Sequence, residues 1–169
     1  MISEKMVEAL NDQINAELHS AYLYHAMEAY FMFSNLEGFA NWMRVQTKEE
    51  MTHAAKIYDF INDRNGRVEL EALEKPQSSW ASPLAAFEAA YKHEQFITDR
   101  INKLLELAQS EKDHATASFL KWFVDEQVEE EASALKIVEK LKLIKDSAGG
   151  LLMLDHQLEK REFGGEDKD

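Results

Sequence analysis

Four stretches of the chain carry apolar residues at alternating steps of three and four, and polar residues interrupt each stripe near its middle. The first reads Met6, Leu10, Ile14, Glu17, Ala21 and Tyr24, and the second Phe39, Met43, Gln46, Glu50, His53, Ile57 and Phe60. The third reads Leu84, Phe87, Tyr91, Glu94, Thr98, Ile101, Leu105 and Ala108, and the fourth Leu120, Phe123, Gln127, Glu130, Ala134, Ile137, Leu141 and Ile144. Stripes of this kind are the inward seams of packed helices. They predict an all-α four-helix bundle in one domain, with helices over about 4–33, 36–64, 83–109 and 114–144. After Ala148-Gly149-Gly150, a hinge by composition, Leu151, Leu152, Leu154 and Leu158 predict a short fifth helix over about 150–160 that packs on the bundle or on another subunit.

The boundaries follow from capping and turn chemistry. Ser3 is suited to be the first N-cap, with Glu4 in the first turn. Ser34-Asn35-Leu36-Glu37 has capping-box spacing and predicts that the second helix starts after a very short turn, which makes the first two helices antiparallel neighbours. Asn65-Gly66 ends the second helix, Gly66 being able to take the left-handed position. Ser82-Pro83 starts the third, and Ser110-Glu111-Lys112-Asp113 separates it from the fourth. Between them, over about 65–82, the period is lost and Pro76, Ser78 and Ser79 appear. Such a segment can extend roughly 55 to 60 Å, more than the roughly 40 Å of a helix of about 27 residues. It can therefore run the length of the bundle as one long crossover and leave the second and third helices parallel. From about 161 to 169 the chain has charge and glycine without apolar period, which predicts a mobile tail.

The polar interruptions share one height. Glu17 lies about 18 residues before the first turn and the Glu50/His53 pair about 16 after it, at 1.5 Å per residue nearly the same level. Glu94 and the Gln127/Glu130 pair stand about 17 residues either side of the second turn. Burying carboxylates among Phe, Met and Ile costs several kcal/mol per charge unless a cation or donor compensates. Glu50 and His53, three apart on one helical face, can ligate one ion, and six such groups at mid-height suit a carboxylate-bridged pair of divalent ions. Mixed oxygen and nitrogen donors suit iron or manganese; zinc would bind without redox chemistry.

Composition narrows the setting. A net charge of -13 argues against non-specific binding to nucleic acid and favours cations. No window of about 18 apolar residues predicts a membrane span, and Met1-Ile2-Ser3-Glu4 lacks the features of a secretory signal. Zero cysteines exclude thiolate metal sites and are compatible with a reducing compartment, so a cytoplasmic location is expected.

At the motif Glu49-Glu50-Met51-Thr52-His53, with Glu17 upstream, Glu94 in a Tyr-x-x-Glu-Gln context and Gln127-Val128-Glu129-Glu130, the chain resembles the bacterial non-haem ferritins across essentially its whole length. The resemblance implies a ferritin-like bundle and an iron store with ferroxidase activity, which oxidises Fe(II) with dioxygen or peroxide and stores Fe(III) as mineral. It implies that Glu17, Glu50 and His53 hold one iron, that Glu94 and Glu130 with bridging Glu50 hold the second, that Gln127 lies beside the oxygen side and that Tyr24 is close by. It also implies a third iron at Glu49, Glu126 and Glu129 with Glu130 shared; by their spacing alone those three are flanking residues on a solvated face. A homo-oligomeric shell of 24 subunits, with the fifth helix at four-fold axes, is implied as well.

Haem is not expected. Haem-containing relatives carry Glu-x-x-His where this chain has Gln127-x-x-Glu130, and Met51, which occupies their haem-ligating position, is read as packing. Trp42, Trp122 and Tyr30 are read as core or interface aromatics, and His19, His25, His93, His114 and His156 as surface or interface residues without a partner pattern. The alternative function is a rubrerythrin-like or other oxygen- or peroxide-activating di-iron oxidoreductase without storage, although the usual cysteine-bearing electron-transfer module is missing. A purely structural bundle would gain nothing from polar groups in four seams.

Overall fold

Ser3 opens the first helix, its hydroxyl accepting the Met6 backbone N–H at 3.0 Å. In the computed structural model, which describes residues 2–164, that helix is α1 (Glu4–Phe33), followed by α2 (Glu37–Asp63), α3 (Pro83–Ser110), α4 (His114–Ile144) and α5 (Ala148–Leu158). The expected all-α bundle with a short fifth helix is the observed one, and no strand occurs among the described residues. Ser82 and Asp113 cap α3 and α4 through their side chains, which accept the backbone N–H of Ala85 and of Thr116.

α1 packs chiefly against α2, and α3 against α4, with α3 also touching α1. The crossover explains how the pairs are oriented. Its beginning is tied to Asn11 on α1, whose side chain donates to the Arg67 carbonyl at 2.9 Å and accepts from the Glu69 N–H at 3.1 Å. Its end brings Trp80 against Tyr30, with ring centroids 5.3 Å apart. Asn11 and Tyr30 lie near opposite ends of α1, so the crossover climbs the bundle and α2 and α3 run parallel.

The core divides at mid-height. One apolar cluster contains Met27, Phe31, Phe39, Trp42, Phe87 and Leu141. The other contains Leu10, Ile14, Ile61, Ile101, Leu120 and Phe123. Between them lies a buried polar layer that includes Gln13, Glu17, Gln46, Glu50, His53, Glu94, Gln127 and Glu130. The backbones of α2 and α4 stay more than 8 Å apart at every Cα pair among the described residues, and polar side chains span the gap.

Several local expectations are corrected. Ser34 does not start α2; it caps the end of α1, its hydroxyl donating to the Tyr30 carbonyl. Leu36 stands at the N-cap of α2 without a side-chain cap, and Asp155 of α5 supplies it instead, Oδ1 accepting the Phe39 N–H at 3.0 Å. At the end of α2, Asn65 rather than Gly66 takes the left-handed conformation, with φ 58°. Gly66 is needed for space: a Cβ there would lie 2.8 Å from Ile61 Cγ2 and 3.0 Å from Val7 Cγ2. Gly149 and Gly150 form the first turn of α5 under a Ser147 cap, not a hinge, so the helix starts at Ala148 and ends at Leu158.

The stripe of α3 is also turned. Leu84, Tyr91, Thr98 and Leu105 are only half-buried, while Ala90, Ile97 and Leu104 are inside with Phe87, Glu94, Ile101 and Ala108. α3 packs on α1 as well as α4, and Leu104 lies beside Ala9 and Gln13, so its inner face is rotated toward α1. Phe60 and Ile144 are half-buried at the edge, and Leu152 of α5 is exposed. Arg161, expected in a mobile tail, is bonded to α2; the last part of that expected tail, 165–169, lies outside the described residues.

Candidate metal centre

Helical spacing brings the polar seam residues to one place. Glu17 on α1 and Glu50 and His53 on α2 each offer a ligand atom, and these atoms lie within 4.8 Å of one another with all three residues buried. His53 Nδ1 is 3.5 Å from Glu50 Oε2. Across the gap, α3 and α4 contribute Glu94, Gln127 and Glu130, also buried. Tyr24 donates its hydroxyl to Glu94 Oε1.

Each carboxylate of the centre accepts from a glutamine amide. Gln13 Nε2 donates to Glu17 Oε1 at 2.7 Å, and Gln127 Nε2 donates to Glu94 Oε2 at 3.1 Å and to Thr98 Oγ1 at 3.3 Å. Gln46 Nε2 bridges the bundle, donating to Glu50 Oε1 at 2.9 Å and to Glu130 Oε2 at 2.7 Å. Gln13 and Gln46 precede Glu17 and Glu50 by one helical turn, the i, i+4 spacing that sets a side-chain amide beside a carboxylate on one helical face. These donors orient the acids without discharging them: Glu17 Oε2 is buried with no donor.

The electrostatics follow from that burial. Desolvation, reinforced by the neighbouring Glu50 charge, pushes the Glu17 carboxyl up to about 8. Burial and then Glu94 raise Glu50 well above the carboxylate range; burial and then Glu50 and Glu94 do the same to Glu130. Burial also raises Glu94, although bonds from Tyr24 and Gln127 oppose it, and burial and the Glu94 charge raise Tyr24. Acids held this way either keep protons or take a cation, and a cluster of oxygens and one imidazole nitrogen is a donor set for a divalent transition metal.

The flanking acids are arranged differently. Glu126 joins a second cluster with His53 and Glu130, their ligand atoms again within 4.8 Å of one another. Glu49 pairs with Arg161, whose Nη2 is 2.6 Å from Oε2, and Glu129 is exposed. Met51 is half exposed on the outer face of α2. Trp122 packs its ring edge-on to His53 at 5.4 Å, under the Lys56 ammonium. His93, expected at the surface without a partner, is largely buried and shares a 2.7 Å hydrogen bond with the Ser20 hydroxyl. Burial, then the His19 charge, lowers its pKa to about 4, so it is neutral near pH 7.

A ferritin-like domain family model matches residues 7–144, which cover α1 from its second turn, all of α2, α3 and α4, and every residue of the centre. The chain belongs to the ferritin-like family. It is 43% identical over 166 residues to the bacterial non-heme ferritin of Staphylococcus haemolyticus, covering 98% of this chain and 100% of that protein. It is 42% identical over 161 residues to that of Bacteroides fragilis, covering 95% of this chain and all of that one. Among solved structures it is similar to an open-pore ferritin from the hyperthermophilic archaeon Archaeoglobus fulgidus, with a TM-score of 0.95 at 60% identity over 96% of this chain and 100% of that chain. The acids of this ferritin-like bundle lie between its two apolar half-cores.

Proposed function

We propose that the centre is a ferroxidase site in an iron-storage protein, with Fe(II) as substrate. Glu17, Glu50 and His53 hold one ion; Glu94 and Glu130 hold the other, with Glu50 between them. The observation that carries this reading is the buried Glu17, Glu50 and His53 cluster, which has a carboxylate oxygen lacking any donor. Two divalent ions would replace the protons on acids whose burial makes unshared charge costly. Iron supplies the redox chemistry, each Fe(II) giving one electron to dioxygen or peroxide. The chain supplies geometry: Gln127 and Thr98 line the Glu94 side, and Tyr24 orients Glu94.

The product Fe(III) leaves for the interior of a homo-oligomeric shell of 24 copies and mineralises there. The similarity to ferritins over nearly the whole chain supports this assembly. Glu126 with His53 and Glu130 offers a route or third position on one side of the centre, with Glu49 and Glu129 flanking it. The protein works in the cytoplasm on this reading, consistent with zero cysteines and with no described helix long and apolar enough to cross a membrane.

Glu50→Ala tests the assignment. Losing even an outer partner of a metal ligand costs about 10- to 100-fold, so removal of this shared ligand should slow initial Fe(II) oxidation by more than about a hundredfold. Native mass should stay unchanged. Wild-type kinetics in that variant would refute the site.

A further inference from the structure

The segment after α5 returns to the metal centre. Asn41 on α2 captures it, its amide donating to the carbonyls of Leu158, Glu159 and Arg161 at 3.2, 3.3 and 2.9 Å. Arg161 is thereby laid along α2. Its guanidinium stacks 4.3 Å from the Trp42 ring centroid, and Nη1 donates to the Trp42 carbonyl at 3.1 Å. Nη2 donates twice, to Gln46 Oε1 at 2.9 Å and to Glu49 Oε2 at 2.6 Å.

The bond to Gln46 has a chemical consequence. A primary amide presents an acceptor on one side and donors on the other. With the guanidinium claiming the oxygen, the Gln46 NH2 must face the opposite way, where it bonds Glu50 and Glu130 together. If the amide turned over, its oxygen would meet two carboxylates. The ion pair with Glu49 adds a tethered positive charge beside the same centre.

We propose that Arg161 is a positioning residue of the metal centre: it fixes the Gln46 amide so that Glu50 and Glu130 are presented to the ions, and it occupies Glu49 as a built-in cation. The role rests on the proposed metal centre and adds that the C-terminal segment, not only the four long helices, sets its geometry. It further follows that a cation can use Glu49 fully only when Arg161 releases it.

The test uses the full assembled protein, metal-free, titrated anaerobically with Co(II), followed by calorimetry and by the visible ligand-field spectrum. Arg161→Ala is expected to keep its melting profile and native mass, to bind Co(II) at the paired site about tenfold or more weakly, and to change the spectrum. Arg161→Lys, which keeps the charge but not the forked donor, should restore the Glu49 ion pair without restoring the spectrum. Co(II) affinity and spectrum unchanged in Arg161→Ala would overturn the proposal, as would an Arg161→Lys variant with the wild-type spectrum, which would show that the charge alone and not the forked donor matters. Fe(II) oxidation measured in parallel separates the two readings: a wild-type protein with an Arg161-dependent Co(II) spectrum but no Fe(II) oxidation leaves this role standing and removes the ferroxidase assignment.

Discussion

The four glutamates at the centre are acids in a place where water cannot reach them, and their protonation is the residue-scale consequence. A carboxyl whose folded pKa is raised stabilises the fold fully below its ordinary value near 4.5 and loses that contribution as pH rises through the folded value, about 8 for Glu17. Glu50, Glu94 and Glu130 are shifted in the same direction. The metal-free protein should therefore melt at a lower temperature at pH 8 than at pH 6, each titrating group contributing about 1.4 kcal/mol per pH unit. Zinc, which binds such donors without redox change, should abolish most of that dependence and release protons as it binds. Calorimetric melting at the two pH values, with and without zinc, checks both; equal melting temperatures for the metal-free protein would contradict the burial of unshared charge. His53 adds a nitrogen donor to this acidic set, and the glutamine amides give it direction.

At the scale of elements, capping across the sequence decides how α5 is placed. Asp155 fills the N-terminus of α2, and Gly38 lies directly beneath it: a Cβ at position 38 would come within 1.7 Å of the Asp155 carbonyl oxygen. Gly38→Ala should therefore displace α5 and remove a helix cap worth about 1 to 2 kcal/mol. Hydrogen exchange should then accelerate through 148–158 while α1 and α3 stay protected; unchanged protection of α5 would show that its docking does not depend on this contact. The long helices themselves were legible from their stripes, because burial of one face repeats with the helical turn. Their interruptions were legible too, since Glu17, Glu50, His53, Glu94, Gln127 and Glu130 stood out as polar residues on apolar faces. The rotation of α3 was not, because Leu84 and Ala90 belong to adjoining stripes and only the approach of α1 selects between them.

For the whole molecule, four exposed apolar side chains share one end, while others such as Val128, Leu70 and Phe96 are exposed elsewhere. Phe33 ends α1 and is 91% exposed, Leu143 next to the end of α4 is 83% exposed, and Leu152 and Met153 project from α5 at 62% and 67%. Such side chains at the terminus of a bundle are suited to contacts between copies. On the proposed assembly, charging this end with Leu152→Glu and Met153→Glu should lower the native mass from hundreds of kilodaltons toward small oligomers without loss of helix, as read by native mass spectrometry and circular dichroism. A full-size shell in the doubly charged variant would remove α5 from the assembly contacts. The sequence by itself determined that the chain is a helical bundle and that its acids meet at mid-height, because rise per residue and turn position set the level of every seam residue. Only the tertiary structure decided which donor serves which acid, that Asp155 caps a helix 116 residues away, and that Arg161 reaches Gln46 from beyond α5. Those bonds join parts of the chain that no local period relates, and they exist because packing, rather than spacing, brings the partners together.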